Sequence, residues 1–508
     1  MELTITEKEK EIVEYGSKKN LLIEKNAIEL LKQQENFREI LDDFFSGENF
    51  FVSREQLENR IVKTKIVAQQ KIEVQGIKKG FKPIAKEHPS TLNILEKYDV
   101  TGHYGSAGKV ADFLEFFQDK FKQLSELLKK RHNLLPKPIK RLNTVMKNEE
   151  VDVIGMVYKK WETKNGHTAI QIEDLEEKCI ALVLKNENAL LRLAEHVLAD
   201  DVIGVKGVKL ADNMIIAKDI LWPDMPMRKQ RTIENKLSIA GLSDIHVGSK
   251  LFLEKEFSEF LAWINGKCPK EEREIAGKIK YILVTGDNVD GIGIYPGQLK
   301  ELGIKDIFKQ YEEFCRLIAQ IPEYIEVVIC PGNHDAVRRA DPQPALREEM
   351  VKELKAYSNI HFVGSPCWLE IESLKVLMYH GASLHDLISS VGFLSYSQPA
   401  KAMIELLVKR SLMPTYGMGQ PYTPEKKDFM VIKELPDYVF CGDMHINNYA
   451  SYRGTTVINS GTWQARTAYQ LKLGHVPSPG IVPIVDLSTG RVTEKRFYSE
   501  KEGVKQSA

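Results

Sequence analysis

Val327-Val328-Ile329-Cys330-Pro331-Gly332-Asn333-His334-Asp335 is the stretch that decides the fold. Four apolar residues, the right length for a buried parallel strand, run into a Pro-Gly turn, and Asn, His and Asp follow at once. Positions just past the carboxyl ends of strands are where an open α/β sheet builds its sites. The same grammar recurs on both sides. Lys236 to Leu242 leads into Ser243-Asp244-Ile245-His246, and Tyr281 to Val284 leads into Thr285-Gly286-Asp287-Asn288-Val289-Asp290-Gly291. Val376 to Tyr379 ends at His380-Gly381, and Tyr438 to Phe440 ends at Cys441-Gly442-Asp443-Met444-His445. Five strand ends that each deliver Asp, Asn or His point to one shared site.

Outside these blocks the chain has room for more. At 508 residues it exceeds one ordinary core, so two to four domains are expected. No apolar run approaches the roughly 20 residues that span a bilayer, and Met1-Glu2-Leu3-Thr4 does not open a signal peptide. A cytoplasmic protein with no membrane association is therefore expected. The six cysteines are scattered with no Cys-x-x-Cys pair, which argues against a zinc ribbon or a disulfide framework. A net charge of +0 leaves nucleic-acid contact to local patches.

In chain order, 1–70 reads as a small N-terminal helical domain. It carries capping-box spacings at Thr6-Glu7-Lys8-Glu9 and Ser53-Arg54-Glu55-Gln56, with an apolar stripe at Ala27, Ile28, Leu30 and Leu31. Residues 71–107, broken by glycine and proline, read as a linker. Within 108–137 an amphipathic helix runs from Lys109 to Arg131, with Val110, Phe113, Leu114, Phe117, Phe121, Leu124 and Leu128 on one side. A basic segment follows (Lys129, Lys130, Arg131, Lys137, Lys140, Arg141, Lys147) and is a candidate for phosphate contact. Residues 138–226 hold five short strands with a helix-like insert, 189–199, after the third, which is the pattern of an OB-fold β-barrel. Aromatics are sparse on these strands, so contact with a protein partner is at least as good a reading as base stacking. From 232 to 500, strands alternate with helices at 256–263, 307–321, 345–357 and 401–411, an α/β domain containing all five blocks.

Asp, Asn and neutral His from separate strands, without cysteine, make a site for hard-to-borderline divalent ions. Two such ions suit in-line attack on phosphorus. Imidazole ligands favour Mn, Fe or Zn over Mg. A carboxylate touching both ions must sit centrally, and a nearby His that is not a ligand can protonate the leaving oxygen.

Taken in order, Asp-x-His, Gly-Asp-x-x-Asp, Gly-Asn-His-Asp, His-Gly and Gly-x-x-His resemble the calcineurin-like metallophosphoesterase superfamily. The whole chain resembles the small-subunit family of archaeal DNA polymerase D. That resemblance is carried by the blocks 331–346, 380–388, Tyr416-Gly417 and 458–464 as well as by the three-domain layout. It implies a two-metal 3′–5′ DNA exonuclease that proofreads for a separate large catalytic subunit in a heterodimer and acts on single-stranded primer 3′ ends. It also implies Asp244, His246 and His445 around one ion and Asn333, His380 and Asp443 around the other, with Asp287 bridging. His334 would be the transition-state stabiliser or general acid, oriented by Asp290, and Asp335 would fix its turn. The implied cofactors are two divalent ions, Mn first, with Fe, Zn or Mg as alternatives.

One position departs from the superfamily pattern, which has Gly-His-x-His where this chain has Gly442-Asp443-Met444-His445. An Asp can still ligate, but it makes the ion's surroundings harder and more anionic. His385 and His475 match no ligand position. The alternative reading is a catalytically weak or inactive scaffold that binds and stabilises the large subunit. A protein phosphatase of the same superfamily fits less well, because Gly291 stands where those enzymes carry an Arg. No polymerase site is visible, so synthesis falls to a partner.

Overall fold

The computed structural model describes residues 7–19, 22–32, 37–38, 41, 51–53, 78, 80–472 and 474–498. It divides into two compact units, 1–76 and 77–508. In the first, helices Glu7–Lys18 and Lys25–Leu31 and the short parallel strands Leu22–Ile23 and Phe51–Val52 surround a small core of Ile12, Ala27, Leu31, Phe37, Leu41 and Val52. Thr6 and 54–56 of the two capping boxes lie outside the described residues.

The second unit contains two six-stranded sheets stacked face to face, with helices on both outer faces. In one sheet Ile360–Phe362, Glu326–Cys330, Ile279–Thr285 and Ser238–Leu242 run parallel, and Ile481–Asp486 and Val492–Arg496 complete it antiparallel. In the other, Thr455–Asn459, Tyr438–Cys441 and Leu374–Met378 run parallel, flanked by Asn448–Tyr452 on one side and by Cys367–Ile371 and Asn93–Ile94 on the other. The period-2 alternation of a strand decides which layer each residue joins. Ile239, Tyr281, Leu283 and Val328 meet Val376, Met378, Tyr438 and Phe440 between the sheets. Ala240, Ile282, Val284, Val327 and Ile329 point the other way, under helices Glu254–Ile264 and Ile307–Ile318. On the far side, Leu377, Val439 and Val457 pack under Ser383–Ser390 and Pro399–Lys409. Helix Glu254–Ile264 buries Phe257, Phe260, Leu261 and Ile264, the i, i+3, i+4, i+7 stripe of a helix on a core. Asp306 caps Ile307–Ile318 by accepting from the Phe308 and Lys309 N–H groups.

Strands Glu150–Glu162, Thr168–Glu173, Lys178–Val183, Val202–Ala211 and Met214–Leu221 close into a five-strand barrel, the fifth lying between the third and fourth. Helix Asn188–Glu195 stands between the third and fourth strands, where the insert is expected. Helix Val110–His132 buries Phe116, Leu124 and Leu128, the last two against Ile154, Met156 and Val202 of the barrel and Val431 of the α/β domain.

Three expectations change. The stretch 80–107 is no free linker. Asn93–Ile94 pairs with Cys367–Ile371, and Asp99 accepts from the Gly364 N–H, so this segment is an edge of the second sheet. The buried face of the long helix is turned away from its N-terminal stripe, leaving Val110 85% and Leu114 60% exposed while Lys120 is buried on the carbonyls of Met413 and Pro414. Residues 345–357 form turns and a short 3-10 stretch, Lys352–Leu354, instead of a helix. Their buried Leu346, Val351 and Leu354 do not keep a helical stripe.

Candidate metal centre

The nine candidate ligand and acid–base side chains stand on the loops after five parallel strands, where the carboxyl ends of both sheets open on the same edge. The loops are knitted to one another by main-chain bonds. Asp244 N–H donates to Gly286 O, His246 N–H to Asp287 O, and Gly442 N–H to His380 O. Asp443 N–H donates to Asp244 Oδ2 at 2.9 Å, tying the last motif of the second sheet to the first motif of the first sheet.

Five of these residues hold left-handed backbone: Asp244 (φ 50°), His246 (54°), Asp287 (50°), Asp443 (63°) and His445 (57°). For a residue with a Cβ this costs on the order of 1 kcal/mol or more, and such strain collects at functional sites. Glycine supplies the space between the strand ends. A Cβ at Gly332 would overlap Asp287 and His380, and one at Gly442 would overlap Ser243 and Asp244.

The ligand-type atoms fall into two groups that share one carboxylate. In the first, His246 Nε2 lies 3.1 Å from His445 Nε2 and 3.8 Å from Asp287 Oδ2, and His445 Nε2 lies 3.3 Å from Asp244 Oδ1. In the second, His380 Nε2 lies 3.4 Å from each of Asp287 Oδ1, Asp443 Oδ1 and Asn333 Oδ1. Ligand atoms about 2.1 Å from a common ion stand about 3–3.5 Å apart at tetrahedral or octahedral angles, which the second group meets throughout and the first meets at His445, with the Asp287 spacing of 3.8 Å somewhat longer.

Three further observations bear on that fit. Asp244 Oδ1 is buried and receives no hydrogen bond. His380 Nδ1 donates to Thr285 O at 2.8 Å and His246 Nδ1 lies 3.1 Å from Asp290 Oδ1, which leaves both Nε2 lone pairs facing the cluster. The electrostatics also call for positive charge. Burial alone would lower both imidazoles, but the Asp290 contact with the charges of Asp287 and Asp244 carries His246 up to about 9. Asp287 and Asp443 likewise hold His380 well above its ordinary value. Burial opposes the charge on Asp287, yet the neighbouring histidines, His380 first, keep it below the usual carboxylate range.

His334 borders the opening, its side chain 16% exposed, with Nε2 3.9 Å from Asp287 Oδ2. Burial pushes its imidazole below the ordinary value, outweighing the charge of Asp287. The orienting role expected of Asp290 is split. Its main-chain carbonyl accepts from His334 Nδ1 at 2.8 Å, whereas its carboxylate stands against His246 and accepts from Gln464 Nε2. A carboxylate reaching His334 would have to leave these partners. Asp335 is buried and accepts from Gly332 N–H, Asn288 Nδ2 and Tyr311 Oη, the turn-fixing part expected of it.

Motif reading passed over several contributors. Gln464 links the 458–464 stretch to Asp290, and the Gln470 side-chain amide lies 2.9 Å from His445 Nδ1. His385, on helix Ser383–Ser390, places Nε2 3.1 Å from Asp443 Oδ2, and its ring borders Tyr396, which His475 meets at a tilt. The only trace of this in the sequence is a second histidine one helical turn or so after His380-Gly381.

Several known proteins are similar to this chain. A family model for the B-subunit family of DNA polymerases alpha and epsilon matches residues 239–450, the span from the first motif to the last. A DNA polymerase II small subunit of Methanocaldococcus jannaschii is 39% identical over 428 residues, covering 84% of this chain and 72% of that one. The protein of the same name from Archaeoglobus fulgidus is 41% identical over 403 residues, covering 79% and 80%. Among solved structures, an archaeal phosphodiesterase aligns over 51% of this chain and 99% of its own, at 15% identity and a TM-score of 0.26. With two-fifths of positions identical over most of both chains, this protein belongs to the DNA polymerase II small-subunit family.

Proposed function

We propose that this chain is the small subunit of a two-subunit archaeal replicative polymerase, and that its metal centre is a 3′–5′ exonuclease that proofreads for the large catalytic subunit. One observation carries the nuclease reading: Asp287 offers Oδ1 to His380 and Oδ2 to His246, so a single buried carboxylate faces both ligand groups. When bound, two divalent ions supply Lewis acidity toward a phosphodiester. Asp244, His246 and His445 would hold one, and Asn333, His380 and Asp443 the other. The mixed imidazole and carboxylate set suits Mn, with Fe, Zn or Mg as alternatives. His334 keeps Nε2 toward the opening, where a leaving 3′ oxygen would need a proton, and the Asp290 carbonyl holds its tautomer.

The five-strand barrel has the strand order and inserted helix of an OB fold, a frame suited to partner contact. The exposed Lys129, Lys130, Lys140, Arg141 and Lys147 beside it suit contact with a phosphate backbone. The test is degradation of a 5′-labelled single strand by the purified chain with Mn²⁺, beside Asp287→Ala. A ladder shortening from the 3′ end, absent in the variant, is expected. No ladder with or without the large subunit would leave the chain as a scaffold, and nucleotide incorporation by the chain alone would sink the subunit assignment.

A further inference from the structure

Asp443, like the shared Asp287, divides its two oxygens between separate neighbours, but only one of them faces a ligand group. Oδ1 faces the cluster, 3.4 Å from His380 Nε2. Oδ2 faces away from it, 3.1 Å from His385 Nε2. The carboxylate is 7% exposed and the imidazole 42%, so this contact lies at the wall of the centre. Oδ2 is buried and no well-aligned hydrogen bond reaches it, which leaves His385 Nε2 at 3.1 Å as the polar atom set against it. A short carboxylate can turn about its last bond and present either oxygen, or both, to an ion. The backbone of residue 443 is left-handed and its N–H is committed to Asp244 Oδ2, so the main chain is held and the freedom left lies in the side-chain torsions. His385 is itself steadied. It stands on helix Ser383–Ser390, directly after the His380-Gly381 turn, and its ring lies 5.5 Å from that of Tyr396, which in turn lies 4.7 Å from the ring of His475, tilted by 31°.

We propose that His385 is a positioning residue of the metal centre: by holding Asp443 Oδ2 it fixes Oδ1 toward His380, Asp287 and Asn333, so that Asp443 and His385 work as a pair. The proposal rests on the two-metal reading above. His385 acts through Asp443 and does not touch the ion, since it meets the oxygen turned away from the cluster. Outer partners that orient a ligand are typically worth 10–100-fold in metal affinity, and here the usual order is inverted, with a carboxylate as ligand and an imidazole behind it.

The test is calorimetric titration of the purified chain with Mn²⁺, read as the number of ions bound and the affinity of each. The unmodified chain is expected to take two ions. His385→Ala should weaken one of them roughly 10–100-fold and leave the other unchanged. His385→Gln, whose amide nitrogen reaches about as far as the imidazole Nε2, should keep most of that affinity, whereas loss of packing alone would affect both variants alike. In an Asp443→His background, where no second oxygen needs holding, His385→Ala should have no effect. If His385→Ala does not fold, the Gln variant and the Asp443→His background carry the test. Two ions bound by His385→Ala as tightly as by the parent, with Asp443→Ala losing one, overturns the proposal. A parent chain that takes up fewer than two ions overturns the two-metal reading, and the pairing falls with it.

Discussion

Gly332→Ala should separate the geometry of the centre from the stability of the fold. Gly332 has no left-handed φ, so alanine meets no backbone penalty there. What it meets is contact, because the new methyl would overlap Asp287 Oδ1, the Asp287 main-chain nitrogen and His380 Cε1. The nitrogen belongs to a loop pinned to its neighbours, since Asp287 O accepts from His246 N–H and Asp287 Oδ1 from His334 N–H. Relief therefore requires the carboxylate and the strand end to part by about 1 Å before ordinary carbon–oxygen contact is restored. Metal coordination tolerates about 0.2 Å, and a displacement of about 1 Å in a reacting group costs roughly 100-fold in rate. The folding penalty of one buried methyl, about 1–3 kcal/mol, is of similar size to that roughly 100-fold (about 2.7 kcal/mol) but is read in unfolding and not in the rate. The assay pairs Mn²⁺ titration with cleavage of a labelled single strand. Gly392→Ala is the control, because its methyl meets nothing within 4 Å and its φ is also ordinary. A Gly332→Ala protein that binds two ions and cleaves within about threefold of the parent would refute the claim that this close approach sets Asp287.

Other outcomes follow from the same structure. His334→Ala should lower cleavage by about 10²–10⁴-fold with Mn²⁺ stoichiometry intact, and loss of an ion would show that His334 ligates instead. Lys409 is buried, with Nζ 2.5 Å from Asp201 Oδ2 and 2.6 Å from His196 O, so Lys409→Met should cost about 3–5 kcal/mol in urea unfolding. Adding Asp201→Asn should recover part of that loss, and a double variant no more stable than the single would contradict the pairing. Burial raises the Asp341 carboxyl to about 7 despite donors from Tyr379 and Gln420. The folded chain thus binds a proton that the unfolded chain has released, and stability is lost as pH rises from about 4 to about 7. In the presence of a chelator, the stability of Asp341→Asn relative to the parent should grow across that window; a flat difference would show that Asp341 does not titrate there.

The α/β architecture was legible because a strand followed by a turn and a ligand-type side chain is a short-range signal, repeated five times. The barrel was legible for a similar reason, since its five strands alternate in register with their own hydrophobic pattern. The rest depended on distant contacts. A two-residue strand such as Asn93–Ile94 carries no periodicity, and only its pairing with Cys367–Ile371 defines it. The long helix shows one apolar stripe in outline, and the barrel together with Val431 covers its later part, Leu124 and Leu128, and leaves Val110 and Leu114 exposed. Left-handed φ values at Asp and His residues leave no compositional mark, unlike those at glycine. The division of Asp290 between a carbonyl for His334 and a carboxylate for His246 is likewise invisible to a motif, which records residue types and not which oxygen is used.

The bond from Asp443 N–H to Asp244 Oδ2 joins residues 199 positions apart, and Thr462 and Trp463 close on the Asp244 carbonyl from farther still. Contacts of such long sequence separation form late, after the intervening loop has been closed. During synthesis the amino-terminal half of this centre is made long before its carboxyl-terminal half leaves the ribosome, a gap of about 10–40 seconds at ordinary elongation rates. A growing or truncated chain that stops short of residue 443 lacks Asp443, His445 and the clasp that sets Asp244, and on the proposed two-metal reading would lack a ligand for each ion. On that reading, hydrolytic power would be withheld from chains that stop short of the last motif.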